Sequence, residues 1–344
     1  MKKILIGFSN TAGLSSRYKK AFQEIGYVTD FYSYSRHPYG FSSHKMLRKY
    51  NNKLLSYISS SIYCLKFLIK YDYFILISGA HLFNNFFDLK LYRFFGKKTM
   101  VVFTGCDIQQ PELIKANKSI IYSSCHNCPE EYMKFVQCEP LKKIVQTRLI
   151  EKYFDVILCH FLNSDSLERQ YHHIFVPIDT EELSKYINKT KNKIPIILHA
   201  PSNLQYKGTS YLKIAVEQLK NEGYVFEFRL IQNVPIEQLY EEISKSDLVV
   251  DQLIQGWYGL LPMETMAMNK PVICYMREEL LSILPNDCPI INANPETIYY
   301  VLKFCLENKD YLLERGKAGK EYVERYHNSK DIAKSLISYF DEVK

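Results

Sequence analysis

An α/β fold of two domains is predicted by three observations. Short apolar runs of strand length alternate with helix-periodic stretches along the whole chain, the alternation breaks once near the middle, and 344 residues exceed what one core comfortably holds. Strands separated by helices imply parallel sheets with helices on both faces, because a parallel neighbour is reached only by a crossover. The break falls at 176–193, where Pro177 and the polar run 188–193 interrupt the periodicity. The expected architecture is two Rossmann-like domains with parallel sheets facing across a cleft. Residues 1–178 would form the first domain and 179–328 the second, with a last helix at 329–344 crossing back to the first.

Strands are expected at Lys3–Phe8, Tyr73–Ser78, Thr99–Thr104 and Val156–Cys159, each a short run rich in branched and aromatic residues. Helical spacing covers Leu14–Ile25, ended by Gly26. In the second half the strands are Pro195–His199, Phe226–Ile231, Leu248–Asp251, Val272–Tyr275 and Pro289–Asn292. Between and after them come helices at Thr209–Asn221, Ile236–Lys245, Leu260–Met268, Glu296–Asn308 and Lys330–Glu342. The stretch 44–70 mixes Lys and Arg with Leu, Ile, Tyr and Phe. It reads either as an amphipathic helix lying on a membrane or as helices packed on the domain surface.

Apolar content of 47% and charged content of 24% are those of a soluble globular chain, and no run reaches the roughly 18 apolar residues of a membrane span. The run Ile4–Ile6 after two lysines is too short for a signal sequence and reads as the first strand. Nine cysteines without an export signal point to reduced thiols and a cytoplasmic protein. Net charge is +7, unevenly spread: residues 1–178 carry 24 Lys/Arg against 13 Asp/Glu, and residues 179–344 carry 20 against 24. A basic first half meets something anionic. No nucleic-acid-reading motif is present, so the expectation is an anionic membrane surface, with the protein peripheral on the inner face of the plasma membrane and no nucleic-acid partner.

The stretch 247–272 carries the chemistry. A buried strand is followed by a Gly-flanked turn around Trp257 and Tyr258, and a helix opens at Leu260. A helix N-terminus at the carboxyl end of a strand presents unpaired N–H groups and partial positive charge, a seat for phosphate. Glu264, about one turn inside, is placed to accept hydrogen bonds from ribose hydroxyls. A phosphate seat beside a sugar hook is the minimum for a nucleotide-activated substrate. An ordinary α/β turn with a surface glutamate is the plain alternative.

These features resemble, in order along the chain, the GT-B glycosyltransferases, in particular the retaining family 4-like enzymes of bacterial surface polysaccharide synthesis. Gly256-Trp257-Tyr258-Gly259 with Glu264-Thr265-Met266-Ala267 is similar to that family's paired-glutamate signature. Gly7 through Gly13 resembles its first-strand loop, and Glu24-Ile25-Gly26-Tyr27 the end of its first helix. Gly105-Cys106-Asp107-Ile108 and Val176-Pro177-Ile178-Asp179 resemble two further loops. His199-Ala200-Pro201-Ser202 with Lys207-Gly208-Thr209 is similar to the surface-polysaccharide subgroup.

The resemblance implies that Glu264 contacts ribose and that Lys207 contacts the donor diphosphate, where its charge would stabilise the leaving phosphate. It implies that the amides of Gly259, Leu260 and Leu261 hold the distal phosphate. Asn10, Gly13 and Asp107 would face the cleft from the acceptor side. Retaining transfer would need no protein general base, and no cofactor or catalytic metal is implied beyond the nucleotide diphosphate sugar itself. Two departures stand out. Gly256 replaces the first glutamate of the pair, and Pro201 or Ser202 falls where an arginine is usual. His199, Ser202 or Arg277 are the substitutes for that charge, and Asp251 or Gln252 for the glutamate.

Cys125 and Cys128, with Cys138 downstream and Cys106 upstream, have the residue types of a tetrahedral zinc site. Structural zinc and free thiols both stand as readings, with disulfides the least suited to a reducing compartment. Cys64, Cys159, Cys274, Cys288 and Cys305 lie in apolar runs and read as core, and His172-His173 borders a strand or turn. The expected function is transfer of a sugar from a nucleotide diphosphate sugar to a lipid-linked oligosaccharide for capsule, O-antigen or a related glycan. The alternatives are an inactive nucleotide-sugar-binding partner of another transferase, and an epimerase on the same fold.

Overall fold

The computed structural model describes residues 2–34, 45–48, 50–83, 85–123, 125–126, 128–135, 138–160, 166–187 and 192–343. Residues 188–191 of the polar run and residues 44 and 49 of the 44–70 stretch lie outside them. The chain forms two compact units. One comprises Met1–Gln110, Val136–Pro177 and Ser329–Lys344, the other Pro111–Phe135 and Ile178–Asn328.

In chain order the elements are β1 (Lys3–Phe8), α1 (Leu14–Glu24), β2 (Val28–Ser33), β3 (Lys45–Met46), α2 (Lys53–Lys70), β4 (Tyr73–Ile77), α3 (Phe87–Phe94) and β5 (Lys98–Phe103). Then follow α4 (Pro111–Ala116), α5 (Glu130–Phe135), α6 (Pro140–Tyr153), β6 (Val156–Cys159), β7 (His172–His173), α7 (Thr180–Ser184), β8 (Ile196–His199), α8 (Leu204–Lys207) and α9 (Thr209–Asn221). The remainder are β9 (Glu227–Leu230), α10 (Ile236–Lys245), β10 (Leu248–Val250), α11 (Leu260–Ala267), β11 (Val272–Ile273), α12 (Glu278–Leu281), α13 (Ile298–Glu307), α14 (Lys309–Tyr326) and α15 (Ser329–Glu342).

The first unit is a parallel sheet in the order β3-β2-β1-β4-β5-β6-β7. Its central strands read as continuous apolar runs because helices cover both faces: Ile4, Leu5 and Ile6 in β1 and Phe74 through Ile77 in β4 are wholly buried. Strand β2 went unforeseen because Thr29 and Asp30 interrupt its apolar pattern. The last helix, α15, packs on α1, and Phe340 stacks on Tyr73 with ring centroids 4.3 Å apart. Within 44–70, a short edge strand (β3) precedes the helix α2, which starts where the Asn52 side chain accepts from the Leu54 and Leu55 amides. Ser60, Cys64 and Phe67 form its buried face.

The second unit is a smaller parallel sheet, β11-β10-β8-β9, with a core that includes Ile197, Leu212, Leu219, Val250, Ile273 and Leu302. The segment Pro111–Phe135, assigned to the first domain from sequence, belongs here: Tyr122 donates to Glu296 at 2.8 Å and meets the Tyr275 ring edge-on. The strand expected at 289–292 is reduced to one bridge, Ile291 to Ile273. Helix α14 is not among the helices expected from sequence, and it contains two glycines, Gly316 and Gly319, which weaken an isolated helix. They are instead where α14 touches α11. A Cβ at Gly316 would lie 2.6 Å from the Asn269 carbonyl, and one at Gly319 2.9 Å from Met266 Cγ.

Candidate functional site

In the second sheet the strand order reverses between β8 and β10: from β8 the chain moves outward to β9, then returns to β10 and continues to β11 on the other side. Ligands of open parallel sheets bind outside the carboxyl ends of the strands at such a switch point. The residues flagged from sequence at 199–207 and 251–264 gather there, because both segments leave the carboxyl ends of these two adjacent strands.

His199 ends β8 and is wholly buried. Its Nδ1 hydrogen-bonds the Val250 carbonyl and its Nε2 the Thr209 hydroxyl, each at 2.8 Å. Burial pushes the imidazole down to about 4, so it is neutral near pH 7. His199 therefore ties β10 to the start of α9 and supplies no cation for a diphosphate. The spacing of histidine to Lys-Gly-Thr is explained by this bridge. Ser202, the other nearby substitute, is exposed on the loop between β8 and α8.

Lys207 ends α8, where Gly208 adopts φ +74° and lets the chain turn into α9. Its Nζ lies 2.8 Å from Asp251 Oδ1, the lysine side chain 13% exposed and the aspartate 0%. The lysine carbonyl accepts from the Leu253 amide, so the residue is fastened at both ends to the loop that follows β10. Asp251 thus orients Lys207 and does not take over the glutamate's role at 256. Gln252 is likewise committed: its buried Nε2 donates to the carbonyls of Trp257 (3.1 Å) and Tyr275 (2.7 Å). These bonds set the loop's curvature.

That loop is anchored again by Tyr258, whose hydroxyl lies 3.3 Å from His327 Nε2 and 3.4 Å from the Tyr322 hydroxyl. It delivers Gly259 as the residue before α11, with no side chain capping the helix and no acidic residue in its first turn. Gly259, Leu260 and Leu261 are half-buried. An uncapped N-terminus of this kind favours an anion. Glu264 is only 4% exposed, and its Oε1 accepts from the Tyr240 hydroxyl at 2.8 Å. Tyr240 and Asp251 hold the candidate residues Glu264 and Lys207, tasks for which the sequence did not single them out. Nothing local marks Tyr240, because its partner lies 24 positions away on another helix.

In the first unit, Asn10 and Gly13 follow β1 and begin α1. Asn10 Oδ1 accepts from the Ser15 amide at 3.2 Å, while its Nδ2 is buried without a partner. The Asp107 carboxylate accepts from the amides of Thr104 (2.9 Å) and Gly105 (2.7 Å) and from the Thr104 hydroxyl (3.1 Å). It is thereby tied into its own loop after β5. Lys143 donates to the Cys106 carbonyl and reaches Cys138 Sγ at 3.4 Å. Cys106 and Cys138 belong to the first unit and Cys125 and Cys128 to the second. No cysteine is disulfide-bonded, and among the described residues no group of three or more His, Cys, Asp or Glu has metal-holding geometry. Among them, too, no helix is long and apolar enough to cross a membrane.

No protein-family model matches the chain, and a search of curated proteins returns no match. Solved structures do match over its whole length. Sucrose-phosphate synthase from Thermosynechococcus elongatus aligns over 99% of both chains with a TM-score of 0.66 at 12% identity. A glycosyltransferase from Rickettsia africae aligns over 99% of this chain and 97% of its own, with a TM-score of 0.65 at 13% identity. HepE of Anabaena, solved with UDP and glucose, aligns over 99% and 100%, with a TM-score of 0.64 at 10% identity. At such identities the likeness is one of fold, and with its two parallel Rossmann-like sheets the chain adopts the GT-B fold.

Proposed function

We propose that the protein is a glycosyltransferase that takes a sugar from a nucleotide diphosphate sugar and passes it to a lipid-linked oligosaccharide in bacterial surface polysaccharide synthesis. The observation that carries this reading is the convergence at one switch point of a fixed lysine, an uncapped helix N-terminus and a buried glutamate. In it, the amides of Gly259, Leu260 and Leu261 and the Lys207 ammonium hold the diphosphate, and Glu264 takes the ribose. The GT-B fold shared with HepE, solved with UDP and glucose, supports a nucleoside diphosphate as the ligand class.

Transfer in this reading is retaining, as in the family 4-like enzymes. The bond from the sugar's anomeric carbon to the diphosphate oxygen breaks, and the acceptor hydroxyl oxygen bonds that carbon from the same face. The acceptor proton passes to the departing phosphate oxygen, so no protein base is required. Lys207 and the α11 N-terminus offset the charge that grows on the leaving group. Asn10 and Asp107 belong to the acceptor side, Asp107 by shaping its loop and Asn10 through its unpartnered amide.

The basic composition of residues 1–178 and the exposed apolar side chains of α2 support docking on an anionic membrane, where a lipid-linked acceptor resides. Thermal-shift titration with UDP-, GDP- and TDP-sugars tests the donor site, and the reading fails if no donor stabilises the wild-type protein. The replacement of the first glutamate by Gly256 favours a second reading, a binding partner without turnover. Assay of the responding donor with a membrane extract separates the two by whether sugar is transferred.

A further inference from the structure

Arg277 lies just before α12, in the loop that follows β11. It is 8% exposed, and its buried Nε makes no hydrogen bond. The nearest carboxylate is that of Glu279, at 3.3 Å from Nε and itself half exposed. A buried guanidinium nitrogen left without a hydrogen bond is costly, and an anionic ligand reaching it would offset that cost.

Its seat is shaped by Gly256. The arginine's amide donates to the Gly256 carbonyl at 3.0 Å, and its side-chain stem lies against the glycine's α-carbon. A Cβ at position 256 would overlap Arg277 Cγ and stand 2.7 Å from Cδ. The glycine's φ of +80° also disfavours any side chain there. So the residue that departs from the paired-glutamate signature is the one that admits a buried arginine. The loop 251–259 is then flanked by two cations: Lys207 on Asp251 at its start, and Arg277 on Gly256, four residues before the uncapped α11.

We propose that Arg277 is the second cationic clamp on the donor's diphosphate and that Gly256 exists to seat it. The inference rests on the donor-site reading above and adds to it a contact for which the sequence left three substitutes open. His199 is excluded by its neutral, doubly bonded ring, and Ser202 carries no charge. The forked guanidinium suits phosphate oxygens better than an ammonium does.

The test is calorimetric titration of the full chain with UDP, GDP and TDP and with the matching nucleosides, with melting temperatures recorded alongside. Wild type is expected to bind one of the diphosphates. Arg277→Gln is expected to weaken that diphosphate at least tenfold while changing nucleoside affinity less than twofold. Arg277→Lys should fall between the two, and Gly256→Ala should reproduce the loss without removing a charge. If Arg277→Gln gives no cooperative melt, Arg277→Lys and Gly256→Ala decide by the same criterion. Unchanged diphosphate affinity in the folded variants overturns the inference while leaving the donor site intact. An equal loss of nucleoside and diphosphate overturns it in favour of a structural arginine. If wild type binds no diphosphate, the donor-site reading falls and this inference with it.

Discussion

At the scale of single residues, the candidate site is held by polar pairs in the segments that follow two adjacent strands. Lys207 and Asp251 form such a pair, and removing one partner leaves the other charge stranded in the interior. Lys207→Ala should therefore cost the protein about 3 kcal/mol as well as its donor affinity. Adding Asp251→Asn to that variant should restore most of the stability and none of the affinity. Thermal melts with and without the responding donor read both quantities at once. If the double variant melts no higher than the single one, the pair is not what the loss reports.

His199 gives a pH dependence with a defined sign. The imidazole titrates near 6.5 when free and at about 4 in the folded protein, so between these values the unfolded chain holds the extra proton. Stability should be level above pH 6.5 and fall as the pH drops from there towards 4, by about 3 kcal/mol in total from this group. Equilibrium denaturation across that range should show a shallower slope in His199→Gln than in wild type. His173 in the first unit, also pushed down to about 4 by burial, leaves a residual slope in both. Glu264→Ala should lower donor affinity at least tenfold. Tyr240→Phe removes one neutral donor to a carboxylate, and a threefold to tenfold loss is expected in the same titration.

At the scale of elements, α2 presents an exposed apolar face. Leu54, Leu55, Tyr57, Ile58, Ile62, Leu65 and Ile69 face outward, Ile69 at 88% exposure, and the helix carries three lysines and no acid. Ile62→Glu with Ile69→Glu should abolish co-sedimentation with vesicles containing anionic phospholipid while leaving the melting temperature unchanged, because neither side chain is in the core. Retained sedimentation would remove α2 from the docking face. Helix α11 shows how far an element could be read in advance. Its start at Leu260 and the position of Glu264 were legible from glycine, strand and helix signals within one short stretch. That the preceding loop is fixed by Gln252, Tyr258 and Arg277 was not, since these bonds span partners 5 to 69 positions apart. Helix α14 shows a related limit: a glycine that weakens an isolated helix is, against α11, the residue that permits close approach.

At the scale of the whole molecule, charge and architecture act together. The excess of positive charge lies in residues 1–178, so vesicle binding should weaken steeply as salt rises from 50 to 300 mM, whereas donor affinity, set in a partly buried site, should change far less. Equal salt sensitivity of the two would mean that membrane and donor share one surface.

The sequence alone determined the alternation of strands and helices, the existence of two parallel sheets, and the segments that meet at the switch point of the second. Those features depend on local periodicity and on turn and cap residues, which a linear reading captures. Tertiary structure alone decided that His199 is a neutral tie, that Asp251 holds Lys207, that Pro111–Phe135 belongs to the second unit, and that Gly256 seats Arg277. Each of these is a contact between residues distant in sequence, fixed by burial and by the need to satisfy polar groups once buried. Neither quantity exists until the chain has folded.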